Sequence, residues 1–315
     1  MTEAVPKKKK RRLRSKVTIP FLIMLAPGAL ILLINNYLPM LGTVMAFQQY
    51  RFRGNFINSI MQSEWVGFAN FQFLFRNPRL WETLRNTVGY NFVFIILGMI
   101  VPVAVAIMLN ELWRPRLAKF YQTVLFLPFF LSWIVVSYLV FAMLQTVGAV
   151  NTMVMIPLGF EPVSFYMERG FWPPFFVFLN AWKYTGYNAV IYLAAISGIS
   201  SEYYEAAMID GANKRQQTWH ITIPLLRPVI IILSILAVGR IFNSDFGMFY
   251  NVPMGRSYLF PVTEVLDTFI YRFMRGATEF GMPVAASLFQ SVVGFVTIMS
   301  VNLIVRKVDP DSALF

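Results

Sequence analysis

The chain has 315 residues, of which 57% are hydrophobic and only 13% charged. Soluble domains carry roughly twice that charge, and here the apolar residues fall in runs of about 20, the length that crosses a bilayer core. Two soluble domains of this combined length are therefore excluded, and a membrane protein is expected.

The net charge of +12 would suit nucleic acid, but its distribution argues against that partner. Eight of the 27 Lys and Arg residues (Lys7, Lys8, Lys9, Lys10, Arg11, Arg12, Arg14 and Lys16) stand directly before the first apolar run. A basic block there orients a membrane protein and touches membrane lipids. Cysteine is absent, which removes disulfides, thiol nucleophiles and thiolate metal sites.

In chain order the apolar runs predict an all-α, polytopic fold of about six transmembrane helices. They lie at roughly 19–46, 87–109, 120–145, 172–199, 226–250 and 282–305. The first run is too long for a signal-peptide core and reads as a retained span, kinked or broken at Pro27 and Pro39. The expected organisation is a basic cytoplasmic tail over 1–18, then a first span with an extracytoplasmic interfacial segment over 19–86. A core of five spans fills 87–305, and a cytoplasmic C-terminal tail fills 306–315. With both termini inside, the inner segments hold 16 Lys and Arg and the outer ones 9, the sign required by the positive-inside rule. The outer segment 47–86 carries Trp65, Phe68, Phe71, Phe73, Phe75 and Trp81 among arginines and asparagines. That mixture suits the headgroup layer, with or without a docked partner.

The segment between the fourth and fifth spans is the most informative. Ser200 or Ser201 can cap a short helix whose first turn includes Glu202 and Glu205. Tyr203, Ala206 and Ala207 share a face by three-and-four spacing, and two alanines there would let another surface approach closely. Asp210-Gly211 stops that helix. A second amphipathic stretch with Trp219, Ile221 and Ile223 leads to Pro224, and Pro228 opens the next span. As helix signals alone, these residues also fit an ordinary helix–turn–helix linker.

The full spacing is more specific. Glu205-Ala206-Ala207, then Asp210-Gly211-Ala212, then Ile223-Pro224 and Pro228 resembles the EAA loop of ABC importer permeases. Ile223 stands where that family usually has leucine. Trp65-Val66-Gly67-Phe68-Ala69-Asn70-Phe71, with Pro78, Trp81, Asn86 and Thr87, is similar to the segment before the core of maltose-type sugar permeases. Asn36-Tyr37-Leu38-Pro39-Met40, followed by Ala46-Phe47, is similar to the branch that handles oligosaccharides released from polysaccharides. The resemblance implies a loop helix that couples to an ATPase through Glu205, Ala206, Ala207, Asp210, Gly211, Ala212, Ile223 and Pro224. It implies as partners a second permease, a different chain, with two ATPase subunits and an extracytoplasmic solute-binding protein. It also implies a sugar substrate, a bacterial or archaeal cytoplasmic membrane, and transport by alternating access.

Charges within spans cost about 2.5–3.5 kcal/mol each on insertion scales, so Lys183 and Arg240 need a reason. Asn180, Lys183, Tyr184, Tyr187 and Asn188 share one side of the fourth span by helical spacing. Arg240, Asn243 and Asp245 lie on the fifth and Gln290 on the sixth. Together they predict a watery translocation pathway for a sugar, although some could instead tie helices together. No enzyme is expected. The single histidine, His220, lies in the loop, and no phosphate-cradling Gly-Lys-Ser/Thr motif occurs. The chain should hold no cofactor or metal of its own, with ATP and Mg on the ATPase subunits. The alternative, a secondary transporter or channel, leaves the loop's spacing unexplained.

Overall fold

A main chain in hydrocarbon has no water to satisfy its N–H and C=O groups, so it folds as helices. The computed structural model describes residues 15–276, 279–310 and 313, and its long elements are helical. The basic block of the N-terminal tail lies outside the described residues, apart from Lys16 at the start of the first helix.

The first span runs as α1 (Ser15–Leu32), a π turn over Leu33–Tyr37, α2 (Leu38–Met40) and a 3-10 turn to Phe47. Pro39 lacks an N–H and would press on the carbonyl four residues earlier, and the π turn relieves that conflict without ending the helix. From Pro20 to Leu41 the side chains are mostly apolar and almost all exposed, a surface suited to lipid, whereas Gly42 and Ala46 are buried and the 3-10 turn packs on the last long helix.

A two-stranded ribbon follows. In it β1 (Gln48–Gln49) pairs antiparallel with β2 (Glu64–Trp65), with Gln48 opposite Trp65, and α3 (Phe56–Gln62) lies between them. Asn70, at the start of α4 (Ala69–Arg76), fastens the ribbon by donating from Nδ2 to the carbonyls of Ala46 and Gln48.

Helix α5 (Pro78–Asn110) begins with Asn77 capping the N–H of Arg79 and with Pro78 in its first turn, where a missing N–H costs nothing. Its 33 residues span about 50 Å, longer than a bilayer core of about 30 Å.

The expected third span, 120–145, is two helices: α6 (Pro115–Phe130) and α7 (Trp133–Leu144), bent by 95°. Pro128 lies in the last turn of α6, and Ser132 caps α7 by accepting from the N–H of Val135. A proline disrupts the ladder and a new cap starts another helix, which is why the span breaks there.

Helix α8 (Trp172–Ser197) has 26 residues, about 39 Å of helix, and packs along both α5 and α6. The loop helices are α9 (Ser201–Ile209) and α10 (Lys214–Gln217), and a π turn joins α10 to α11 (Ile223–Gly239).

The expected span 226–250 also needs correction. The apolar helix occupies Lys214–Gly239, the chain leaves it at Arg240, and it resumes as α12 (Phe246–Asn251) with Asp245 as N-cap. Short helices α13 (Phe260–Thr263) and α14 (Leu266–Gly276) lead to α15 (Gly281–Val308), which returns across the bundle. Among the described residues four helices meet the length and apolarity of a span, and the bent α6–α7 pair makes a fifth. The fourth expected span, 172–199, is α8, which has the length but carries the polar band described below.

Among the described residues three apolar clusters form, and two of them bear on the helices around the cavity. One gathers Tyr90, Trp172, Phe176, Phe249 and Leu259, and the other, toward the loop, Ala106, Ala189, Tyr192, Ile196 and Leu226. Helices α6 and α8 approach closely at Gly186, where an added Cβ would lie 1.9 Å from the carbonyl oxygen of Leu125. Gly186→Ala should therefore force the two helices apart and lower stability by about 1–3 kcal/mol, read as a lower unfolding midpoint in detergent.

Candidate functional site

Both helix breaks free carbonyls that the apolar surroundings leave without water. At the end of α6, the Lys183 ammonium donates to the carbonyls of Pro128 and Phe129, both at 3.2 Å, and to that of Leu131. It also lies 5.0 Å from the Trp133 ring centroid. A cation at a helix C-terminus is favoured by the dipole as well. At the end of α11, Asn91 donates from Nδ2 to the carbonyls of Ile241 (2.8 Å) and Asn243 (3.1 Å). Gln290 donates to the carbonyl of Phe242 at 2.7 Å.

Between these supports lies a cavity of about 380 Å³ walled by α5, α8 and the end of α11. Asn180, Tyr184, Asn188, Arg240, Asn243 and Asp245 line it, together with Asn91, Phe94 and Tyr192. The polar residues of α8 fall in the middle third of that helix, so the chamber sits at mid-depth.

Three residues expected on the pathway lie elsewhere. Lys183 is buried against the α6 break. Tyr187 stacks on Phe129 with centroids 4.3 Å apart, and Gln290 is buried between Phe242 and Asp267. At about 100° per residue, Lys183 and Tyr187 occupy the edge of the α8 stripe that meets α6, while Tyr184 and Asn188 occupy the other edge. Asn91 was missing from the sequence reading. Its signal, an amide in the long apolar run of α5, was available.

Asp245 joins the walls. Its Oδ2 accepts from Trp133 Nε1 (2.6 Å) and from the Tyr184 hydroxyl (2.5 Å), and its Oδ1 caps the N–H of Met248 (3.2 Å). It is therefore neither an ion-pair partner of Lys183 or Arg240 nor a free ligand group.

The loop at the far end of α8 and α11 is built from local signals. Ser200 caps α9 by accepting from Glu202 N–H. Gly211 stops it with φ +79°, the N–H of Gly211 bonding the carbonyl of Met208 and that of Ala212 bonding Ala207. This double closure needs a residue tolerant of left-handed backbone. Asn213 and Gln216 then form a reciprocal capping box on α10.

The exposed face of α9 carries Tyr203, Ala206 and Ile209, the last 87% exposed. Glu205, Asp210 and Gly211 are exposed too, whereas Ala207 and Ala212 are half-buried. Ala207 thus belongs to the inner side rather than to the face shared with Tyr203. Ile223 is half-buried, and Pro224 lies in the first turn of α11.

The loop is fastened to the spans by residues that sequence reasoning missed. Buried Gln217 donates to the carbonyl of Ala212, Thr218 donates to Glu111 at the end of α5, and Tyr204 shares a 3.0 Å hydrogen bond with Thr222.

Asp245→Ala should leave the Trp133 N–H and the Tyr184 hydroxyl without an acceptor, costing about 2–3 kcal/mol. Asp245→Asn, which keeps an acceptor oxygen, should cost less, and thermal unfolding of the detergent-solubilised protein separates the two. Gly211→Ala should destabilise the α9 terminus by about 1 kcal/mol through its positive φ alone, since no atom lies within 4 Å of the added Cβ. Gly211→Asn should lose less, as read by amide exchange over residues 207–213.

Residues 92–311 match the model of the binding-protein-dependent transport system inner membrane component family. The chain is 35% identical to protein LplB of Bacillus subtilis over 92% of its own length and 89% of that protein's. It is 32% identical to the B. subtilis polygalacturonan/rhamnogalacturonan transport system permease YteP, over 95% and 92%. The structure is similar to a chain of a bacterial ABC transporter that imports the acidic polysaccharide alginate, with TM-score 0.84 and 29% identity. That match covers 95% of this chain and all of the other. A second structure of the bacterial alginate transporter, in complex with an alginate pentasaccharide-bound periplasmic protein, matches with TM-score 0.82 and 30% identity over 95% and 98%. The chain belongs to the binding-protein-dependent transport system inner membrane component family, as a permease subunit of a carbohydrate-uptake ABC importer.

Proposed function

We propose that this subunit passes an oligosaccharide through the cavity between α5, α8 and α11, driven by ATPase subunits gripping the exposed face of α9. The observation that carries the reading is the placement of the two sites on the same helices. Helix α8 lines the cavity and runs directly into α9, and α11 leaves the loop and ends at Arg240 and Asn243 in the cavity wall. A displacement of α9 therefore has a rigid route to the chamber.

Asn180, Asn188, Asn243 and Arg240 offer donors and acceptors for hydroxyl groups, and Phe94, Tyr184 and Tyr192 offer ring surfaces, the mixture of apolar wall and few polar groups expected of a ligand site. Among relatives, one is named for polygalacturonan and rhamnogalacturonan transport and another belongs to an alginate importer, which supports a sugar chain as substrate. ATP hydrolysis belongs to separate subunits, and this chain carries no cofactor. The working assembly pairs it with a second, different permease, two ATPase subunits and an extracytoplasmic binding protein. The 201–228 loop and both termini face the cytoplasm, and 146–171 and 251–281 lie on the opposite side. ATP-driven closure of the ATPase pair would push α9 and open the chamber outward, and release of ATP products would return it inward.

Reconstituted into liposomes with those partners, the subunit should import sugar only with ATP. Uptake at the same rate without the ATPases would overturn this reading in favour of a secondary transporter. Asn180→Ala and Asn243→Ala should each weaken sugar handling about tenfold, the worth of a hydrogen bond or two, seen in KM for uptake at unchanged basal ATPase rate. Gly211→Trp should leave ATP hydrolysis running while transport falls.

A further inference from the structure

At the end of the bundle away from the 201–228 loop lies a larger cavity of about 740 Å³, between α7, α12 and α14. Its walls include Tyr138 of α7, Tyr250 and Asn251 of α12, and Arg272 and Arg275 of α14. The two arginines stand three residues apart and share a helix face.

The charge there is unbalanced, because none of the lining residues is Asp or Glu. The carboxylate that reaches Arg272 is that of Glu264, a buried residue, and it is divided between Arg272 (3.0 Å) and Arg79 (2.8 Å). One negative charge thus meets two positive ones. Arg272 Nη2 is buried with no acceptor among the described residues. Arg275 is exposed and has no carboxylate partner among the described residues, and its Nη1 reaches the Tyr250 hydroxyl only at 3.4 Å.

The groups are nevertheless held in place. The Arg272 guanidinium lies 3.9 Å from the Phe260 ring centroid and 5.6 Å from that of Tyr250. Tyr250 stacks on Phe246 and meets Tyr271 edge-on. Guanidinium forks match carboxylates in geometry and charge, and the tyrosine rings supply flat apolar surface beside a polar tip. Farther in, Arg240 lines the mid-depth cavity and forms no ion pair with a carboxylate among the described residues. A cationic group therefore stands in each chamber.

We propose that the outer cavity is a reception site for a carboxylate-bearing sugar unit, held by Arg275 and Arg272 against Tyr250 and Tyr138 before it enters the mid-depth chamber. This rests on the sugar-import function proposed above and narrows its substrate class to uronate-containing oligosaccharides. An anionic lipid headgroup carries the same charge, so the test separates the two sources.

The complete importer, with its partner permease, ATPases and binding protein, is reconstituted in liposomes with wild-type subunit, Arg275→Gln or Arg275→Lys. Uptake of trigalacturonate is compared with that of its carboxyl-reduced, neutral counterpart. Wild type should prefer the acidic sugar. Arg275→Gln should erode that preference about tenfold through KM, the worth of a charge-assisted hydrogen bond, and Arg275→Lys should restore part of it. An unchanged preference in Arg275→Gln, or an equal loss for both sugars, overturns the site while leaving sugar import intact. So does a wild type that carries only the neutral sugar. If the Arg275 effect vanishes in liposomes without anionic lipid, the cavity belongs to a headgroup. If Arg275→Gln abolishes copurification of the partner permease, it belongs to that interface. Failure of wild type to carry either sugar with ATP overturns this proposal and the import reading together.

Discussion

Two interruptions of helix at mid-depth, one after Phe130 and one after Gly239, set the terms for the rest of this structure. Each leaves carbonyl groups that hydrocarbon would strand at a cost of several kcal/mol apiece. The chain answers with side chains from neighbouring helices: Lys183 at the first break, Asn91 and Gln290 at the second. These three polar residues are thereby committed to the backbone. The polar residues left over, Asn180 and Asn188 on α8 and Arg240 and Asn243 at the end of α11, line the cavity, which Asn91 also borders. The division between scaffold and pathway follows from hydrogen-bond accounting, because a buried group with its partners filled has little left for a ligand.

The loop between α8 and α11 is held together differently. Its short helix α9 has nine residues, too few to be stable alone in water, and exposes tyrosine and isoleucine on its free face. Capping at both ends and the ties through Gln217, Thr218 and Tyr204 hold it as one body with α10, α11 and the end of α5. A partner that pushes on α9 therefore moves helices rather than bending a loop.

How much of this was legible in the sequence depended on range. The caps, the glycine stop and the proline entry into α11 act within about five residues, so reading Ser200, Gly211 and Pro224 placed the loop's elements. The spans were legible where an unbroken apolar run matches a bilayer, as in α5 and α15, and the grouping of Asn180, Tyr184, Asn188 and Asn243 followed from period and depth. Lys183 was misplaced because helical period assigns a side but not the neighbour on that side, and nothing local to residue 183 tells that α6 ends at Phe130. The breaks themselves were hidden for the same reason. Pro128 and Asp245 are ordinary residues in sequence, and the breaks beside them persist only because distant side chains donate to the freed carbonyls.

Trp133 shows why the two breaks behave as one unit. Its indole N–H donates to Asp245 beside the second break, and its ring faces the Lys183 ammonium at the first. A Cβ added to Gly247 would come within 2.5 Å of that ring, so α12 is packed directly on it. Tyr184 adds a second donor to the same Asp245 carboxylate and also lines the cavity. Moving α12 and its Asp245 cap away from α7 and α8 would strip an acceptor from two half-buried donors at once, a penalty of about 2–3 kcal/mol. Rigid displacement of the group formed by α7, α8 and α12 is the inexpensive alternative. Such a group joins the mid-depth chamber to the larger cavity, whose walls α7 and α12 also form, so a displacement of α8 with its partners would reshape both chambers through contacts that have only a few ways to rearrange.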